Sequence, residues 1–511
     1  MDAKPSIWRS FPRSFWAANT IEIFERMGWY GFYTVSSVYI TGTLADGGLG
    51  FSSADRGIIQ GLVTFFLYLF PAFFGALADK YGYKRMFVIS FLIMSPAYVL
   101  LSIPRSFWGF FLVYMFVAVG HGMFKPIVNG TIAKCTNEKT GTLGFGIFYW
   151  MVNVGGLLGP IVAGVVRGWD WKYVFYCSSG WLALNLLICL LIYKEPPRTE
   201  GQKAKSLAKT LEGMMAVVGN ARFFLFIAGI MTALVLGSKW WDFTQVLVAA
   251  GVWFVANFGL DFILRSAGEK PDRPWYLKPM KAGETRYLVY LLLMSGFWTA
   301  YNQLFLTLPE YIRDYTHTSG LIAALTPLAH GVTGFFSSLG FDTSEWHKAV
   351  LLNGEIKPEH LINLDAFAII LIQILVSHLC RNLKALTTII TGTLVTGLAF
   401  GLFVFGVSVW LVVGGILIFA VGEMMTGPKS QEYVGRIAPP EKTGMYMGYY
   451  YWCVALGNLF GGLLSGVAYQ HFGPKGVGKP GVMWLLFVLL AAVSAFLMWV
   501  FNRCVVKKPA A

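Results

Sequence analysis

Long apolar segments separated by short polar connections run along most of the chain. A helix needs about 20 mostly apolar residues to cross a bilayer, and twelve segments have roughly this length. They cover residues 15–41, 57–78, 86–104, 108–132, 143–166, 172–193, 286–308, 365–380, 385–407, 409–430, 444–467 and 481–502. The pattern predicts an all-α membrane protein made of two six-helix bundles.

Two further apolar segments, 221–238 and 243–265, lie between the two sets of six. Basic residues flank this pair, and an even number of crossings preserves the orientation of the second half. We therefore expect an inserted hairpin and a total of fourteen spans. The predicted domains are an N-terminal bundle at 1–200, a linker with the hairpin at 201–284, and a C-terminal bundle at 285–511.

Composition excludes an ordinary soluble protein and makes a lipid bilayer the expected partner, because the 511 residues are 56% hydrophobic and only 13% charged. The formal charge of +14 comes from Lys and Arg spread among the connections, so we expect no nucleic-acid binding. The positive-inside rule instead places both termini in the cytoplasm of a protein of the cell inner membrane. Six widely spaced cysteines without a C-x-x-C pair indicate neither a disulfide framework nor a metal site.

The longest predicted outer connection, 313–364, contains an apolar stretch at 320–340. One more crossing there would invert the charge bias of the later connections. We expect an outer cap, with a spanning helix as the alternative. Beside this connection, Glu310, Arg313 and Asp314 are expected to lie in a solvated interface.

The first apolar segment contains three ionisable residues, Glu22, Glu25 and Arg26. Helical geometry places Glu22 beside the other two, at i+3 and i+4. An ionised side chain in the middle of a bilayer costs about 2.5–3.5 kcal/mol, so the three should face an internal cavity and pair or share protons. The alternative is a structural ion pair near the cytoplasmic end.

Four motifs resemble those of known transporter families. Residues 75–85 (GALADKYGYKR) resemble the loop between the second and third spans of major facilitators. Residues 22–31 (EIFERMGWYG), 120–126 (GHGMFKP) and 148–157 (FYWMVNVGGL) resemble motifs of the proton-dependent oligopeptide transporter family. The resemblance covers nearly the whole chain, and the inserted hairpin is similar to that of the bacterial branch.

The resemblance implies a major facilitator fold, two six-helix bundles plus the hairpin, that imports di- and tripeptides together with protons by alternating access. Lys125 and Glu423 have charges of opposite sign in opposite halves, which suits the two ends of a dipeptide about 7 Å long. The implied proton-coupling residues are Glu22, Glu25, Arg26 and Lys125. The implied substrate-binding residues are Tyr30, Tyr33, Tyr68, Lys125, Asn153, Trp298, Asn302, Glu423 and Tyr450.

We expect a monomer that needs no cofactor. An enzyme is not expected, because no nucleotide-binding loop, H-E-x-x-H or G-x-S-x-G motif occurs in a usable context. Two alternatives stay open. One is a transporter of another small solute with weakened proton coupling, and the other is a non-transporting receptor or scaffold.

Three positions depart from the family pattern. Tyr33 stands where many bacterial relatives carry an arginine, and Asn302 where they carry an acid. Because these changes remove one charge of each sign, we expect the outer gate to close through hydrogen bonds and aromatic packing rather than an ion pair. Asp365 stands where the family has an asparagine, and it either replaces the missing acid or caps the N-terminus of the eighth long span.

Overall fold

The computed structural model describes residues 11–136, 140–196, 220–235, 237–241, 243–268, 273–281, 284–340, 342–439 and 443–506. Within them the chain is helical apart from its connections and one two-stranded antiparallel hairpin, so the all-α prediction is confirmed. The outer limits of the predicted domains, and most of the linker before the inserted hairpin, lie outside the described residues.

In the described part of the N-terminal half the chain forms seven helices. They are α1 (Arg13–Thr41), α2 (Ser53–Leu69), α3 (Pro71–Tyr81), α4 (Tyr83–Leu100), α5 (Phe107–Lys134), α6 (Gly141–Val166) and α7 (Trp171–Leu191). Helices α2 and α3 together form one span, Ser53–Tyr81. The helix breaks at Pro71, which lacks a backbone N–H.

The inserted hairpin comes next, followed by the C-terminal half. The hairpin consists of α8 (Ala221–Val235), α9 (Gly237–Trp240) and α10 (Phe243–Ser266). The C-terminal half consists of α11 (Thr285–Tyr301), α12 (Gln303–Leu306), α13 (Leu308–Tyr315), α14 (Ser319–Ser338), α15 (Trp346–Val350), β1 (Leu351–Leu352), β2 (Glu355–Ile356), α16 (Pro358–Ile362), α17 (Leu364–Cys380), α18 (Ala385–Val404), α19 (Val409–Ile437), α20 (Thr443–Phe472) and α21 (Pro480–Phe501).

Twelve helices of the described residues are long and apolar enough to cross a membrane. Helix α1 is not among them, although it has 29 residues, and three of its charged side chains lie on one turn. Large apolar side chains such as Leu191 and Ile374 are exposed on the outside of the bundle. This surface suits lipid, which requires no polar partner from the protein.

The two ends of the bundle differ in charge. At one end, here named the basic end, α3, α5, α7 and α21 finish beside Lys80, Lys134, Lys194 and Arg503. At the opposite end, here named the cap end, α1, α6 and α13 finish, and α2 and α16 begin. Residues 316–357 lie at this end, and we call them the cap.

Helix α14 belongs to the cap, and both of its ends lie near the cap end. At its start, the backbone N–H of Thr318 donates to Glu355 Oε2 at 2.6 Å. In its last turn, the ring of Phe336 lies 5.2 Å from that of Trp346 on α15, and α15 packs against α6. A helix that crossed the bundle would finish at the basic end. This arrangement therefore favours the predicted cap over the alternative crossing.

The two halves touch along α2 and α20 near the cap end. A Cβ atom built at Gly57 would lie 2.3 Å from the carbonyl oxygen of Gly462, and one at Gly462 would lie 2.5 Å from that of Gly57. Backbones of two helices approach this closely only where side chains are absent. The cap end is thus closed by a glycine contact that tolerates no larger residue.

We predict that Gly57→Val opens the contact between α2 and α20. Overpacking costs about 1–3 kcal/mol, enough to shift a closed-to-open equilibrium by roughly tenfold. The opening is measured as maleimide labelling of a cysteine introduced at Leu459, which is buried at this contact. Gly180→Val is the matched control, because a Cβ at Gly180 meets nothing within 4 Å. Equal labelling in the two backgrounds would contradict the close approach.

Candidate functional site

Helix α1 buries a cluster of three charged side chains. Glu22 and Glu25 are fully buried, and Arg26 is 5% exposed. The Arg26 guanidinium donates to both oxygens of Glu25, from Nε at 2.5 Å and from Nη2 at 2.6 Å. Its Nε also lies 3.3 Å from Glu22 Oε1. The three residues form one internal ion-pair cluster, as their spacing predicts.

Lys125 on α5 supplies a second cation to this cluster. Its Nζ donates to Glu22 Oε1 at 2.7 Å, and 22% of its side chain stays exposed. The two carboxylates of α1 therefore face two cations, Arg26 from the same helix and Lys125 from α5. Because each charge has an opposite charge beside it, the cluster can stay ionised away from bulk water.

His121 on α5 joins the same cluster and is a candidate that the sequence motifs did not reveal. Its Nδ1 contacts Glu25 Oε1, and its Nε2 lies 3.2 Å from the hydroxyl of Tyr98. The ring is fully buried and packs edge-on against Trp29 at 4.8 Å. One sequence signal was available: His121 lies four residues before Lys125 and so shares its helix face.

An internal cavity lies between helices of both halves, namely α1, α6, α11, α12, α16, α17 and α19. Its polar lining residues are Tyr30, Thr34, Asn153, Tyr301, Asn363, Asp365 and Glu423. Three of the predicted substrate-binding residues are therefore brought together in its wall. The other six predicted residues, which do not line it, are Tyr33, Tyr68, Lys125, Trp298, Asn302 and Tyr450.

Three predicted aromatic residues lie in contacts between helices. Tyr68 stacks on Tyr451 of the other half, with ring centres 6.3 Å apart. Trp298 packs against α20, where a Cβ atom built at Gly457 would lie 2.2 Å from Trp298 Cβ. Tyr450 is instead buried within the C-terminal half, where its hydroxyl lies 2.5 Å from that of Ser430. Tyr68 contributes to the contact between the halves, whereas Tyr450 packs inside one of them.

Tyr33 and Asn302 are the two positions at which sequence analysis expected an uncharged gate. The Tyr33 ring stacks on Trp29 at 4.9 Å and lies 5.9 Å from Phe305 of the other half. Asn302 donates its side-chain amide to the backbone carbonyl of Trp298 at 2.7 Å. The expected aromatic packing between the halves is therefore present at Tyr33, while the Asn302 amide bonds to its own helix.

Two buried ion pairs join the halves at the cap end. Arg56 Nε on α2 lies 2.6 Å from Glu310 Oε1 on α13. Arg167 Nε, directly after α6, lies 2.8 Å from Glu359 Oε1 on α16. The expectation of a gate without an ion pair is therefore wrong, because charges on neighbouring helices close it. The solvated position expected for Glu310 is also wrong, since this side chain is fully buried.

The cap adds a further contact around these pairs through Lys357, which is 1% exposed. Its Nζ donates to the carbonyl of Gly164 on α6 at 2.6 Å and to that of Lys348 in the cap at 2.9 Å. Burial lowers the pKa of Lys357 to about 8. The cap is thereby tied to the N-terminal half. Arg313 and Asp314 are exposed, as expected from the sequence.

A pair of carboxyl groups lies in the part of the cavity wall that belongs to the C-terminal half. Asp365 is the second residue of α17, whose N-cap residue is Asn363, so the predicted capping role of Asp365 is wrong. Its carboxyl group lies within hydrogen-bonding reach of that of Glu423 on α19. The hydroxyl of Tyr301 donates to Glu423 Oε1 at 3.2 Å.

Comparison with known proteins assigns the fold to a family. A sequence profile described as Major Facilitator Superfamily matches residues 21–343 and 360–510, which is most of the chain. The chain belongs to the Major Facilitator Superfamily. This facilitator is 23% identical to the peptide transporter YePEPT of Yersinia enterocolitica, over 87% of this chain and 86% of that protein. It is 22% identical to the dipeptide and tripeptide permease A of Proteus mirabilis, over 91% of this chain and 88% of that protein.

Solved structures confirm the predicted major facilitator fold. A crystal structure of a peptide transporter POT in complex with sulfate has a TM-score of 0.69 at 17% identity and covers 96% of this chain and 95% of that one. A POT family transporter in complex with 5-aminolevulinic acid has a TM-score of 0.66 at 16% identity, with 98% and 100% covered. A crystal structure of a nucleoside transporter has a TM-score of 0.64 at 14% identity and covers 95% of this chain and 99% of that one. The fold alone therefore does not decide the solute.

We predict that Glu310→Leu lowers the unfolding temperature of this facilitator in detergent, because it leaves the Arg56 charge buried and unpaired. Removing one partner of a buried ion pair typically costs about 3–5 kcal/mol. The double variant Arg56→Met/Glu310→Leu should recover most of the loss. The control is Arg313→Leu, since exposed pairs contribute about 0–1 kcal/mol. A Glu310→Leu variant as stable as this control would show that the buried pair does not hold the gate.

Proposed function

We propose that this facilitator imports di- and tripeptides together with protons by alternating access around the internal cavity. The observation that carries the proposal is the distribution of charge between the halves. The N-terminal half contributes a cluster in which Lys125 is a partly exposed cation, and the C-terminal half contributes the carboxyl groups of Asp365 and Glu423. A zwitterionic peptide carries one charge to match each side.

The charge cluster of α1 borders the cavity through Tyr30. The Arg26 guanidinium lies 5.6 Å from the centre of the Tyr30 ring, and Tyr30 itself lines the cavity opposite Glu423. We assign the peptide carboxylate to Lys125 and the peptide amino group to Glu423. Asn153, also in the lining, offers an amide that can pair with a peptide bond without selecting a side chain.

The names of the relatives support this assignment of cargo. The Yersinia relative is named a peptide transporter and the Proteus relative a dipeptide and tripeptide permease, and each is covered over more than four fifths of its length. Identities of 22–23% leave room for a change of solute. The distribution of charge between the two halves is therefore the independent support that the proposal needs.

Sidedness follows from the charges of the connections. The positive-inside rule places the basic end in the cytoplasm and the cap end outside, with both termini cytoplasmic, in the inner membrane. The structure is closed at the cap end by the α2–α20 contact and by two ion pairs. We assign it to the state that exchanges its cargo with the cytoplasm, in a transporter that acts as a monomer.

Proton coupling is assigned to Glu22, Glu25, Arg26 and Lys125. A proton that binds Glu22 removes the carboxylate that holds Lys125 at 2.7 Å, so the ammonium becomes free to bind a peptide carboxylate. A gradient of one pH unit supplies about 1.4 kcal/mol for each proton. Inward movement of one net charge adds about 2.3 kcal/mol per 100 mV. Together these drive substantial accumulation of peptide.

We predict that wild-type protein in proteoliposomes accumulates labelled dialanine when the outside is acidic and only equilibrates it when a proton ionophore is added. One proton for each peptide allows about tenfold accumulation for a gradient of one pH unit. Equilibration under both conditions would identify a facilitator without proton coupling. Absence of dialanine flux, with uptake of another small amino-carboxylate, would identify the alternative cargo. Absence of any flux would favour a receptor.

A second prediction concerns His121. We predict that His121→Gln reduces gradient-driven uptake of dialanine about tenfold or more, because general acid–base groups of this kind typically contribute at least a hundredfold to proton transfer. Exchange of dialanine without a gradient should persist, since His121 does not line the cavity. His330→Gln in the exposed part of the cap is the matched control. Gradient-driven uptake equal to that of the control excludes His121 from the proton path.

A further inference from the structure

The carboxyl groups of Asp365 and Glu423 form a site whose chemistry differs from that of the α1 cluster. Asp365 is 5% exposed, and its carboxyl group lies within hydrogen-bonding reach of that of Glu423. Among the described residues, Asp365 Oδ1 and Glu423 Oε2 have no hydrogen-bond donor. Two ionised carboxylates can only accept hydrogen bonds, so neither can satisfy the other. A proton on either of them converts this repulsive contact into a hydrogen bond.

The described residues around the pair provide no compensating cation. Among the described residues that line the cavity, none is basic. The titratable groups that face the pair are Tyr301 from α11, Tyr30 from α1 and Tyr149 from α6. From α18, which also packs against α19, the groups beside Gly422 are the uncharged Gly392 and Thr396. Each carboxylate of the α1 cluster, by contrast, has a cation within 3.3 Å.

Two local effects stabilise negative charge at the pair, one at each member. Asp365 lies in the first turn of α17, where the helix dipole favours an anion. Glu423 accepts a hydrogen bond from Tyr301. Because each carboxylate has one stabilising contact, neither is clearly the stronger base for the shared proton. The proton therefore belongs to the pair as a unit.

We propose that Asp365 and Glu423 form a one-proton site that also binds the ammonium group of the substrate. In the loaded state Asp365 holds the proton and Glu423 binds the ammonium, so that one proton and one amino group together neutralise both carboxyl groups. This inference rests on the proposed function and adds a second proton site to it, on the half opposite the α1 cluster. The class of substrate it selects is small solutes with a protonated amine.

The site explains why proton and substrate move together. With the ammonium bound but no proton present, one carboxylate is left uncompensated in a cavity that closes away from water. With the proton present but no ammonium, the other carboxylate is left in the same position. Only the state with both ligands is neutral. In the other states, the free-energy cost of burying net charge opposes closing of the cavity.

The test compares two readouts in proteoliposomes for Asp365→Asn. The first is exchange of labelled for unlabelled dialanine without a gradient, and the second is accumulation of dialanine under an inward proton gradient. We expect accumulation to fall at least about tenfold further than exchange, because Glu423 stays available for the ammonium while the proton is no longer bound. Asp342→Asn in the exposed cap is the matched control.

Accumulation by Asp365→Asn equal to that of the Asp342→Asn control would overturn the proposal. If Asp365→Asn does not yield folded protein, Asp365→Glu decides: the longer carboxyl should keep accumulation but shift its pH profile, and an unchanged profile contradicts the shared site. Failure of the proposed function is distinguishable, because wild-type protein would then fail to accumulate dialanine, whether or not it exchanges it.

The substrate part of the site is tested separately with N-acetyl-dialanine, which keeps the carboxylate but lacks a charged amine. We expect this compound to compete with dialanine exchange at least about a hundredfold less well, since the loss of a charge-assisted contact leaves the carboxyl pair uncompensated. Equal competition by the two compounds would show that the pair does not recognise the ammonium group.

Discussion

Charge buried inside a membrane bundle must be matched by opposite charge or by a proton, and this constraint organises the whole molecule. The two halves meet it differently. In the N-terminal half, Glu22 and Glu25 face Arg26 and Lys125, so the cluster balances itself. In the C-terminal half, Asp365 and Glu423 face only neutral groups of the cavity lining. The α1 cluster is therefore neutralised without substrate, whereas the Asp365–Glu423 pair needs a proton and an ammonium group to neutralise its charge.

The same constraint explains how the cap end closes. Arg56 and Glu310 meet across the halves, as do Arg167 and Glu359, and the glycine contact between α2 and α20 brings them within reach. Opening this end exposes the four groups to water, which can solvate them individually. Closing it requires the pairs to form, because unpaired ions in the interior are costly. The pairs thus favour either a fully open or a fully closed gate.

Sequence patterns predicted the parts of this architecture that depend on local order along the chain. Helix α1 begins and ends within two residues of the predicted segment, and α17 begins one residue before its own. The pairing of Glu22 with Arg26 follows from helical spacing, and the motif in α5 pointed to Lys125. These features needed no knowledge of which helices pack together.

The features that sequence reasoning missed all depend on contacts between distant helices. Glu310 was assigned to solvent because its neighbours in sequence are polar, while its partner Arg56 lies on α2. For Asp365 a helix cap is one of two expectations, because aspartate is common there, yet a preceding short helix shifts the cap to Asn363. His121 lies within a glycine-rich motif that gives it no role of its own. Its contact with Glu25 is seen only in the fold. The contacts of Glu310 with Arg56 and of His121 with Glu25 arise from helix packing, and the spacing of His121 and Lys125 is the one local signal for them.

We infer that, before proton and substrate load the transporter from outside, Asp365 and Glu423 share a proton while the carboxylates of α1, paired with Arg26 and Lys125, are ionised. Infrared spectroscopy of the substrate-free protein at neutral pH tests this directly, because a protonated carboxyl absorbs at a frequency separate from that of a carboxylate. We expect a protonated-carboxyl band that persists in Glu22→Gln/Glu25→Gln and is absent from Asp365→Asn/Glu423→Gln. A band that survives in the second variant and disappears in the first would contradict it.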